Sequence, residues 1–468
     1  ISGSVDGHIK FWKKMLNGIE FVKHFQAHIG PILGFNISPD GYRLVTSSND
    51  KMIKIFEIRS FDMSNIISVD YIPSNIIWLS SGCKLNETNS NTNSNTNTNS
   101  TLRLSSPRIA VSDMNSSNIY IYNVESENHT PIHVLENIHT SPICCMSLNM
   151  NYGYVISIDI KGVIEYWDVD TYATGNNNAN NANGNTNTNQ KQSKKSIFKF
   201  EYKMETDLYD LAKNKTIPLS LTITPNGQTF AIMSTDRYIR VYDFVTGKMS
   251  RKYNESLLNY TVTKDTPNPP GLSYTPHTNN TNNGDDTQDG LNMSMSQLRD
   301  NSYELGRRLA LERQLDDSCV NSLKLHSNTN TTNTSNTTAP ASATATPTNL
   351  DQYSTGLFNS TMVFDETGYF LIYSSLCGIK ILNIINNKII NILGISENSE
   401  RFLYLSLYQG VPKVDTQFLL SRNNNTNANA NGKDINITKT SKQIEDTANI
   451  DDPTIYCTSF KKRRFFCF

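Results

Sequence analysis

The sequence predicts an all-β protein folded as a seven-bladed β-propeller. Three observations indicate this fold: a strand that recurs along the chain and ends on an aromatic residue, a tight turn that recurs upstream of it, and a spacing of roughly 44 residues between the first two copies. Tracts rich in Asn and Thr separate the copies. The chain is therefore expected to form one ring of similar units, with the polar tracts inserted between strands.

The recurring strand is clearest in SVDGHIKFW (4–12), SNDKMIKIF (48–56) and STDRYIRVY (234–242). In each copy an Asp in a turn precedes an aromatic residue, and apolar and polar residues alternate between them, which is typical of a strand with one buried face. These pairs are Asp6 with Trp12, Asp50 with Phe56, and Asp236 with Tyr242. Weaker copies keep the strand but lose the Asp in this register: SNIYIYN (117–123), KGVIEYWD (161–168) and CGIKILN (377–383).

The upstream turn is clearest in SPDG (38–41) and TPNG (224–227), where Pro fixes φ and Gly or Asn tolerates a positive φ. MNYG (150–153) and DETG (365–368) stand at similar places before two of the weaker strands. Each unit is thus predicted as a strand, a tight turn, a second strand, a turn that contains Asp, and a third strand with a terminal aromatic residue.

Both ends of the chain fall inside a predicted unit. The first blade is predicted to enter at its second strand, which ends near Gly3, so its earlier strands are expected upstream of residue 1. At the other end, 401–410 predicts the first strand of a last blade, and 454–460 and 463–468 predict its next two. Six repeated third strands and the one at 463–468 give seven blades. The seam between blades one and seven is expected to be incomplete, with unpaired strand edges.

Five tracts rich in Asn, Thr and Ser are predicted to be disordered loop inserts, because they hold too few apolar residues to offset the entropy of ordering them. Deletion of 86–100 and 176–189 is expected to leave folding intact. The inserts cover about 86–100, 173–195, 265–290, 326–349 and 423–450.

The segment 291–315 predicts one amphipathic helix between blades five and six. Its apolar residues stand near helical spacing, with Arg and Glu on the other side; they are Leu291, Met295, Leu298, Leu305 and Leu309. Two roles stay open for this helix, packing on the rim of its own propeller or docking of a partner.

Composition and motifs exclude several classes of function. The 42 Lys and Arg residues nearly balance the 43 Asp and Glu residues, so no global field favours nucleic acid or an anionic membrane. The seven cysteines contain no C-x-x-C pair, which argues against a disulfide framework or a zinc site and favours a reducing compartment. No apolar run is long enough for a bilayer, and no phosphate-binding loop, metalloprotease motif or nucleophile elbow occurs. We therefore assign no catalytic, cofactor-binding or metal-binding residue.

The run KKRR (461–464) allows two interpretations, a nuclear localisation signal or a charged hairpin turn. It falls between two predicted strands, which favours the turn. Other basic residues stand on strands near the turns, where we expect solvated strand faces; these are Lys51, Lys54, Arg237 and Arg240.

Several of these features resemble the WD40 repeat family. Trp167 and Asp168 form a literal Trp-Asp dipeptide, and QAH (26–28) resembles the Gly-His pair that opens a WD40 blade. In that family a loop His, the turn Asp and the strand Trp are linked by hydrogen bonds within the blade. The resemblance implies an incomplete network in the second blade, because Phe56 cannot supply the Trp N–H.

Carried onto this sequence, the family pattern pairs His28 with Asp50. His139, in NIHTSP, takes the same place in a later blade. Lys161 occupies the position expected for its Asp, and Asp159 can substitute for it. A structural role is favoured for both histidines over a metal-binding or catalytic role, since neither has a neighbouring ligand at chelating spacing.

Longer segments are similar to the nuclear WD40-cyclophilins, which carry an N-terminal propeller and a C-terminal cyclophilin barrel. The matching segments run in order along the whole chain and include GIEFVKHF (18–25), ETDLYDLAK (205–213), VFDETGYF (363–370) and DPTIYCTSFKKRRFFCF (452–468). The resemblance implies that isomerase activity belongs to a cyclophilin domain after residue 468. This chain is then expected to be a single WD40 propeller over 1–468, without a catalytic residue of its own.

The function implied by the resemblance is a protein-interaction scaffold of a nuclear peptidyl-prolyl cis-trans isomerase, acting in spliceosome and pre-mRNA processing assemblies. Its partners are expected to be proteins or peptides, with no direct nucleic acid, no membrane and no cofactor. The alternative within the binding class is a propeller that binds a histone tail or another chromatin protein. In the enzyme class, the intact protein is expected to be a peptidyl-prolyl isomerase through the cyclophilin domain.

Overall fold

The structure, a computed structural model, describes the following parts of the chain: 1–15, 18–79, 107–126, 129–169, 197–257, 302–328, 361–410 and 453–468. In the long helix, side chains are described for 303–316. The predicted inserts at 86–100, 173–195, 265–290 and 423–450 lie outside the described residues, and so does the insert at 326–349 apart from 326–328.

The strands form seven antiparallel sheets, so the predicted seven-bladed β-propeller is confirmed. Within each sheet, strands that are neighbours along the chain pair with one another, without crossovers. We call each sheet a blade, number the blades from the N-terminus, and label the strands of a blade a to d in chain order. Among the described residues, blade 1 contains strands b, c and d, and blade 7 contains strands a, b and c.

Blades 1 to 3 show why these sequences form strands. In strand c of blade 1, Ile9 and Phe11 point into the core, whereas Lys10 between them is exposed. The strands of blade 1 are β1 (Ser2–Gly3), β2 (His8–Met15) and β3 (Gly18–Gln26); those of blade 2 are β4 (Ile32–Ile37), β5 (Arg43–Ser48), β6 (Met52–Glu57) and β7 (Asp62–Ser68); those of blade 3 are β8 (Pro73–Leu79), β9 (Arg108–Asp113), β10 (Ile119–Asn123) and β11 (His133–Leu135).

Blades 4 to 7 continue the ring with the same order of strands. Blade 4 contains β12 (Ile143–Asn149), β13 (Tyr154–Asp159) and β14 (Ile164–Asp168), and blade 5 contains β15 (Pro218–Ile223), β16 (Thr229–Ser234), β17 (Tyr238–Asp243) and β18 (Met249–Asn254). Blade 6 contains β19 (Met362–Phe364), β20 (Phe370–Ser375), β21 (Gly378–Asn383) and β22 (Lys388–Leu393), and blade 7 contains β23 (Phe402–Tyr408), β24 (Thr454–Ser459) and β25 (Phe465–Cys467).

The hydrophobic core lies between neighbouring blades. Six apolar clusters join each blade to the next, from blade 1 to blade 7. Between blades 2 and 3, for example, Ile55 and Trp78 belong to one buried cluster. Between blades 7 and 1, the rings of Trp12 and Phe465 meet edge to face with their centroids 5.1 Å apart. The described residues therefore form a closed ring.

Four glycines of the predicted turn sequences lie in the turns between strands a and b. Each turn contains a glycine in the left-handed region, with φ between 69° and 74°. A residue with a Cβ atom is disfavoured there, so Gly sets the turn geometry. These glycines belong to the predicted SPDG, MNYG, TPNG and DETG turns and are Gly41, Gly153, Gly227 and Gly368.

An irregular segment between strand c of blade 4 and strand a of blade 5 packs against both blades. It begins beside the c–d turn of blade 5, where the N–H of Lys199 donates to a main-chain carbonyl. The segment holds a short 3₁₀-helix, Lys203–Glu205, and helix α1, Asp210–Lys213. It ends at the b–c turn of blade 4, where a Cβ atom at Gly162 would lie only 2.8 Å from the Cβ of Leu211. Close packing against blade 4 thus depends on glycine at this turn.

Helix α2 spans Ser302–Asn328, so it overlaps the end of the predicted helix and continues past residue 315. The predicted part at 291–301 lies outside the described residues. The prediction ended the helix too early, because no Pro or Gly interrupts 316–328 and apolar residues recur at Val320, Leu323 and Leu325. None of the helices within the described residues is long and apolar enough to cross a membrane.

The connections of the ring lie on two opposite faces, because successive antiparallel strands reverse direction. The a–b and c–d turns form one face. The b–c turns and the d–a connections between blades form the other, which we name the b–c face. The b–c face carries the turn at Asp50, the turn at Asp236 and the residues that contact helix α2.

Candidate functional site

On the b–c face of blade 2, His28 and Asp50 form a buried polar pair. His28 Nδ1 lies 3.0 Å from Asp50 Oδ2, and His28 Nε2 lies 2.9 Å from Thr46 Oγ1. The Asp50 carboxylate also accepts the N–H of Ile29 at 3.2 Å and the N–H of Met52 at 3.1 Å. Burial lowers the pKa of His28 although Asp50 opposes this effect. The hydrogen bonds of this pair therefore hold the turn in place. The imidazole is uncharged at neutral pH, because its pKa is lowered.

Blade 4 repeats this arrangement with a different carboxylate. His139 Nε2 lies 2.7 Å from Ser157 Oγ. His139 Nδ1 lies 3.7 Å from Asp159 Oδ2, and the Ser141 hydroxyl donates to the same oxygen at 2.8 Å. The structure thus brings His139 and Asp159 together, whereas Lys161 is exposed in the b–c turn.

The turn Asp of blade 1 has a different setting. Asp6 is exposed and accepts the N–H of His8 at 3.3 Å. Trp12 Nε1 donates to Ser2 Oγ at 2.9 Å, so the indole links strands b and c of its own blade.

The other predicted aromatic positions serve the core between blades. Phe56 is buried in the cluster between blades 1 and 2, and Trp167 in the cluster between blades 3 and 4. Tyr242 is fully buried and stacks on Phe230 with the ring centroids 5.1 Å apart. Asp168 ends strand c of blade 4, directly after the buried indole.

Blade 5 replaces the His and Asp pair by an arginine network. Arg240 is fully buried, and its guanidinium donates to Asp236 Oδ2 and to Asp210 Oδ2, each at 2.6 Å, and to Ser234 Oγ at 2.5 Å. Burial alone would raise the pKa of Asp236, but the hydrogen bonds from Arg240 and Ser234 lower it below its usual value. The carboxylate of this b–c turn is therefore charged and paired.

A basic residue stands at the same position of strand c in three blades. The third residue of strand c is Lys54 in blade 2, Arg240 in blade 5 and Lys380 in blade 6, and each side chain binds a residue of the segment between the preceding blade and its own. Lys54 donates to the carbonyl of Ala27, and Lys380 Nζ lies 2.7 Å from Glu255 Oε2. These contacts tie neighbouring blades together on the b–c face.

The prediction of solvated strand faces is wrong for three of the four basic residues it covered. Arg240 is fully buried, Lys54 is half-buried, and Arg237 binds two carboxylates of helix α2. Lys51 is exposed and donates to the carbonyl of Asp70 at 3.0 Å. Carboxylates and carbonyls from other parts of the chain bind these side chains. The local pattern of apolar and polar residues does not predict such contacts.

Helix α2 packs on the b–c face of blades 5 to 7. Arg308 of this helix is buried against the propeller. It donates to the carbonyls of Leu376, at 3.1 Å, and Ile395. Two small apolar clusters hold the helix: Leu305 and Leu309 with Leu376 and Cys377 of blade 6, and Leu315 with Leu403 and Phe460 of blade 7. Of the two roles left open by the sequence, the structure shows packing on its own propeller.

A buried carboxylate connects the helix to two blades. Glu312 binds Arg237 of blade 5 and accepts a hydrogen bond from Arg401 Nε, ahead of blade 7, at 2.6 Å. Arg237 also binds Asp316 at 2.7 Å. Burial would raise the pKa of Glu312, but Arg401 and Arg237 outweigh it and lower the pKa below its usual value.

The run KKRR forms the b–c turn of blade 7, between β24 and β25, as the hairpin interpretation predicts. Arg464 binds the buried carboxylate of Glu400, which also accepts the Ser459 hydroxyl at 2.5 Å. The side chains of 461–463 are exposed.

With this geometry in hand, comparison with known proteins identifies the repeat. Residues 19–57, from strand d of blade 1 through strand c of blade 2, match the family "WD domain, G-beta repeat". Over its full length the chain is 31% identical to human "Peptidylprolyl isomerase domain and WD repeat-containing protein 1" and 32% identical to "Peptidyl-prolyl cis-trans isomerase cyp15" of Rhizopus delemar. The chain is a WD40 propeller that is similar along its whole length to peptidylprolyl isomerase domain and WD repeat-containing proteins.

The chain spans about half the length of these relatives, 54% of the human protein and 55% of the Rhizopus delemar protein. A further relative, "Peptidyl-prolyl cis-trans isomerase CYP71" of Arabidopsis thaliana, is 30% identical over the whole chain, which covers 55% of that protein. The propeller described above therefore matches about half of each of these relatives.

The two loop histidines and the inter-blade cations of this WD40 propeller make structural contacts. Within the described residues, no group of three or more His, Cys, Asp or Glu side chains is arranged to hold a metal ion. Burial raises the pKa of Cys145 to about 12, and the pKa of Cys457 to about 12. These thiols stay protonated at neutral pH and are poor nucleophiles and poor ligands.

Sequence reasoning missed several polar partners on the b–c face. Two signals could have found some of them. Each loop His precedes its hydroxyl partner by 18 residues, and the inter-blade cations recur at the third position of strand c. The missed residues are Thr46, Ser157, Glu255, Glu312, Lys380 and Arg401.

Proposed function

We propose that this chain is the protein-interaction scaffold of a nuclear peptidyl-prolyl cis-trans isomerase, and that it holds the enzyme within spliceosomal, pre-mRNA processing assemblies. One observation carries the proposal: the chain matches about half the length of proteins that are named isomerases, and this half is a propeller. The isomerase is then a separate domain in the remaining length, as the resemblance to the WD40-cyclophilins implies.

A scaffold role fits the chemistry of the described residues. Rotation about an X–Pro bond has a barrier of about 20 kcal/mol, and its catalysis needs a preformed pocket. His28, His139 and Arg240 instead form hydrogen bonds with other residues of the propeller. Six apolar clusters and the inter-blade cations make the ring a firm platform, and loops on such platforms carry recognition.

The enzymatic part of the proposal is tested by a prolyl-isomerase assay. We would compare this 468-residue chain with the same protein extended to the full length of its relatives, on a peptide that contains one Pro. We expect activity in the extended protein and none in this chain. Activity in this chain alone would show that the propeller contains a catalytic pocket and would overturn the division of roles.

The partner and the location are tested in cells. We expect a fluorescent fusion of the full protein to concentrate in the nucleus, and quantitative cross-linking to enrich spliceosomal proteins when the propeller is present. The control is the isomerase part without the propeller. Enrichment of histones would instead favour the chromatin alternative, and equal recovery with the control would contradict a scaffold role.

A further inference from the structure

Helix α2 separates its charges between its two sides. The acidic residues face the propeller, where Glu304 binds Arg308 at 3.3 Å and Glu312 and Asp316 are bound by arginines. Arg307 and Arg313 are exposed on the outer side. The docked helix therefore presents a positive surface to solvent, although its described residues contain as many acids as bases.

The KKRR turn of blade 7 adds to this positive surface. Leu315 of the helix and Phe460, which precedes the turn, belong to one apolar cluster, so the turn lies beside the helix. Arg464 is bound by Glu400 and anchors the turn. Lys461 is in the left-handed region, with a φ of 56°, and the N–H of Lys462 donates to the carbonyl at residue 459. The backbone of the turn is thus fixed while the other basic side chains are exposed.

We define the basic surface as Arg307, Arg313, Lys461, Lys462 and Arg463, all exposed on the b–c face. Among the residues whose side chains are described, the neighbouring acids are bound by arginines or half-buried. Glu400 is buried and bound by Arg464, and Asp316 is bound by Arg237. Glu397, in the connection between blades 6 and 7, is half-buried. The basic surface is a local excess of positive charge on a chain whose formal net charge is −1.

We infer that the basic surface docks an acidic segment of a partner protein, one that carries carboxylate or phosphoryl groups. This inference rests on the proposed scaffold function and names the chemistry of its partner. Arginine binds carboxylates and phosphates with two parallel hydrogen bonds, and lysine adds charge without fixed geometry. The fixed turn and the docked helix hold the cations in place, which limits the entropy lost on binding.

A protein segment fits this surface better than single-stranded RNA. Binding of RNA without sequence preference needs exposed aromatic rings on which bases stack. In the described part of helix α2 the one aromatic residue is Tyr303, which is 80% exposed and lies one turn from Arg307, so it offers a single ring and not a series on which successive bases could stack. Phe460, next to the turn, is buried.

The test measures fluorescence anisotropy with the full chain. The probes are a labelled peptide of alternating Glu and Ser, the same peptide phosphorylated on each Ser, a peptide with Gln in place of Glu, and single-stranded oligouridine. We expect one or both acidic peptides to bind, and their affinity to fall by about tenfold between about 50 mM and about 300 mM NaCl. Binding of only the phosphorylated peptide identifies phosphoryl groups as the ligand, and binding of both identifies the carboxylates.

Two variants locate the binding, K461E/K462E/R463E in the turn and R307E/R313E on the helix. Each is expected to weaken the acidic peptide by about tenfold or more. The matched control, K13E/K248E/K388E, makes the same change in net charge as the turn variant at exposed sites off the b–c face and is expected to bind as the wild type does. Equal loss in the control, or unchanged binding in both basic-surface variants, would overturn the inference.

Two further outcomes separate this inference from the proposed function. Tighter binding of oligouridine than of either acidic peptide, lost in the same variants, would replace the protein partner by nucleic acid. Absence of peptide binding with continued enrichment of spliceosomal proteins would reject the basic surface and leave the scaffold function intact. Thermal melting of each variant checks that the ring is folded.

Discussion

Glu312 accepts a hydrogen bond from Arg401 at 2.6 Å, although 89 residues of sequence separate them. Both side chains are at most 5% exposed, so the pair joins helix α2 to blade 7 in a dry contact. The same carboxylate binds Arg237 of blade 5. One side chain of the helix thus connects two blades that are not neighbours in the ring.

Glu312→Gln is expected to release the helix. The substitution keeps the shape of the side chain but leaves two largely buried arginines without their carboxylate, which typically costs about 3–5 kcal/mol. Hydrogen exchange of 303–316 should then rise strongly. Asp316→Asn is the matched control, because Asp316 is half exposed and binds only Arg237; its effect should be small. Equal exchange in both variants would show that apolar contacts alone hold the helix.

Asp50→Ala is expected to destabilise blade 2 by about 1–3 kcal/mol, because it leaves His28 and the N–H groups of Ile29 and Met52 without their acceptor. Chemical denaturation monitored by exchange in blade 2 measures the change. Asp6→Ala removes the exposed Asp at the same position of blade 1 and should leave stability within error. An Asp50 variant as stable as the wild type would mean that water replaces the carboxylate.

The pH dependence of blade 2 follows from His28. Its pKa in the folded protein lies below the unfolded value of 6.5, so the unfolded chain binds more protons as the pH falls. The contribution to stability is complete above pH 6.5 and is lost as the pH drops toward the folded pKa. His28→Gln should flatten this dependence, and His129→Gln, at an exposed site, should keep it. The readout is hydrogen exchange in blade 2 between about pH 5 and pH 8.

Lys380→Met is expected to loosen the contact between blades 5 and 6. It removes the ammonium group from the buried Glu255, at a cost of about 3–5 kcal/mol, and leaves the Tyr373 hydroxyl as the remaining donor at 2.7 Å. The double variant K380M/E255Q should recover much of the loss, which a melting curve detects. Lys10→Met, at the same strand position but exposed in blade 1, is the control. Failure of the double variant to recover would argue that packing, and not the charge, matters at this site.

Gly34→Ala tests the close approach of blades 2 and 3. A Cβ atom at Gly34 would lie 2.6 Å from the carbonyl oxygen of Ser74 and 2.3 Å from Ser47 Oγ. Overpacking of this kind costs about 1–3 kcal/mol. Gly306→Ala, on helix α2 with open space at its Cβ, should instead stabilise the helix by about 0.5–1 kcal/mol. Thermal denaturation separates the two directions, and a stable Gly34 variant would show that the two blades can move apart.

The sequence predicts the ring because its signals are local. The alternation that ends on Phe56 or Tyr242, and glycines such as Gly41 and Gly227, need only a few neighbouring residues to form a strand or a turn. The pairing of His28 with Asp50, implied by the family resemblance, also occurs within one repeat. The structure therefore contains these strands, these turns and this pair at the positions that the sequence predicts.

The contacts that hold the b–c face together were not predictable in the same way. From its sequence Arg240 is expected to be a solvated strand residue, but the fold places Asp210, of the segment between blades 4 and 5, beside it. Glu312 looks like an ordinary exposed helix residue, because its arginines lie 75 and 89 residues away. The cations recur at the third position of strand c, but their acidic partners leave no period in the sequence, so only the fold reveals the pairs.

The position of helix α2 also has a consequence for the order of folding. Its contacts with Arg237, Leu376 and Arg401 lie on three different blades, and each requires the closure of a long loop. The helix can dock only after those three blades have formed, so its docking is the last step in this part of the chain. We therefore expect the helix to couple the opening of blades 5 to 7, and its departure to be the first event in their unfolding.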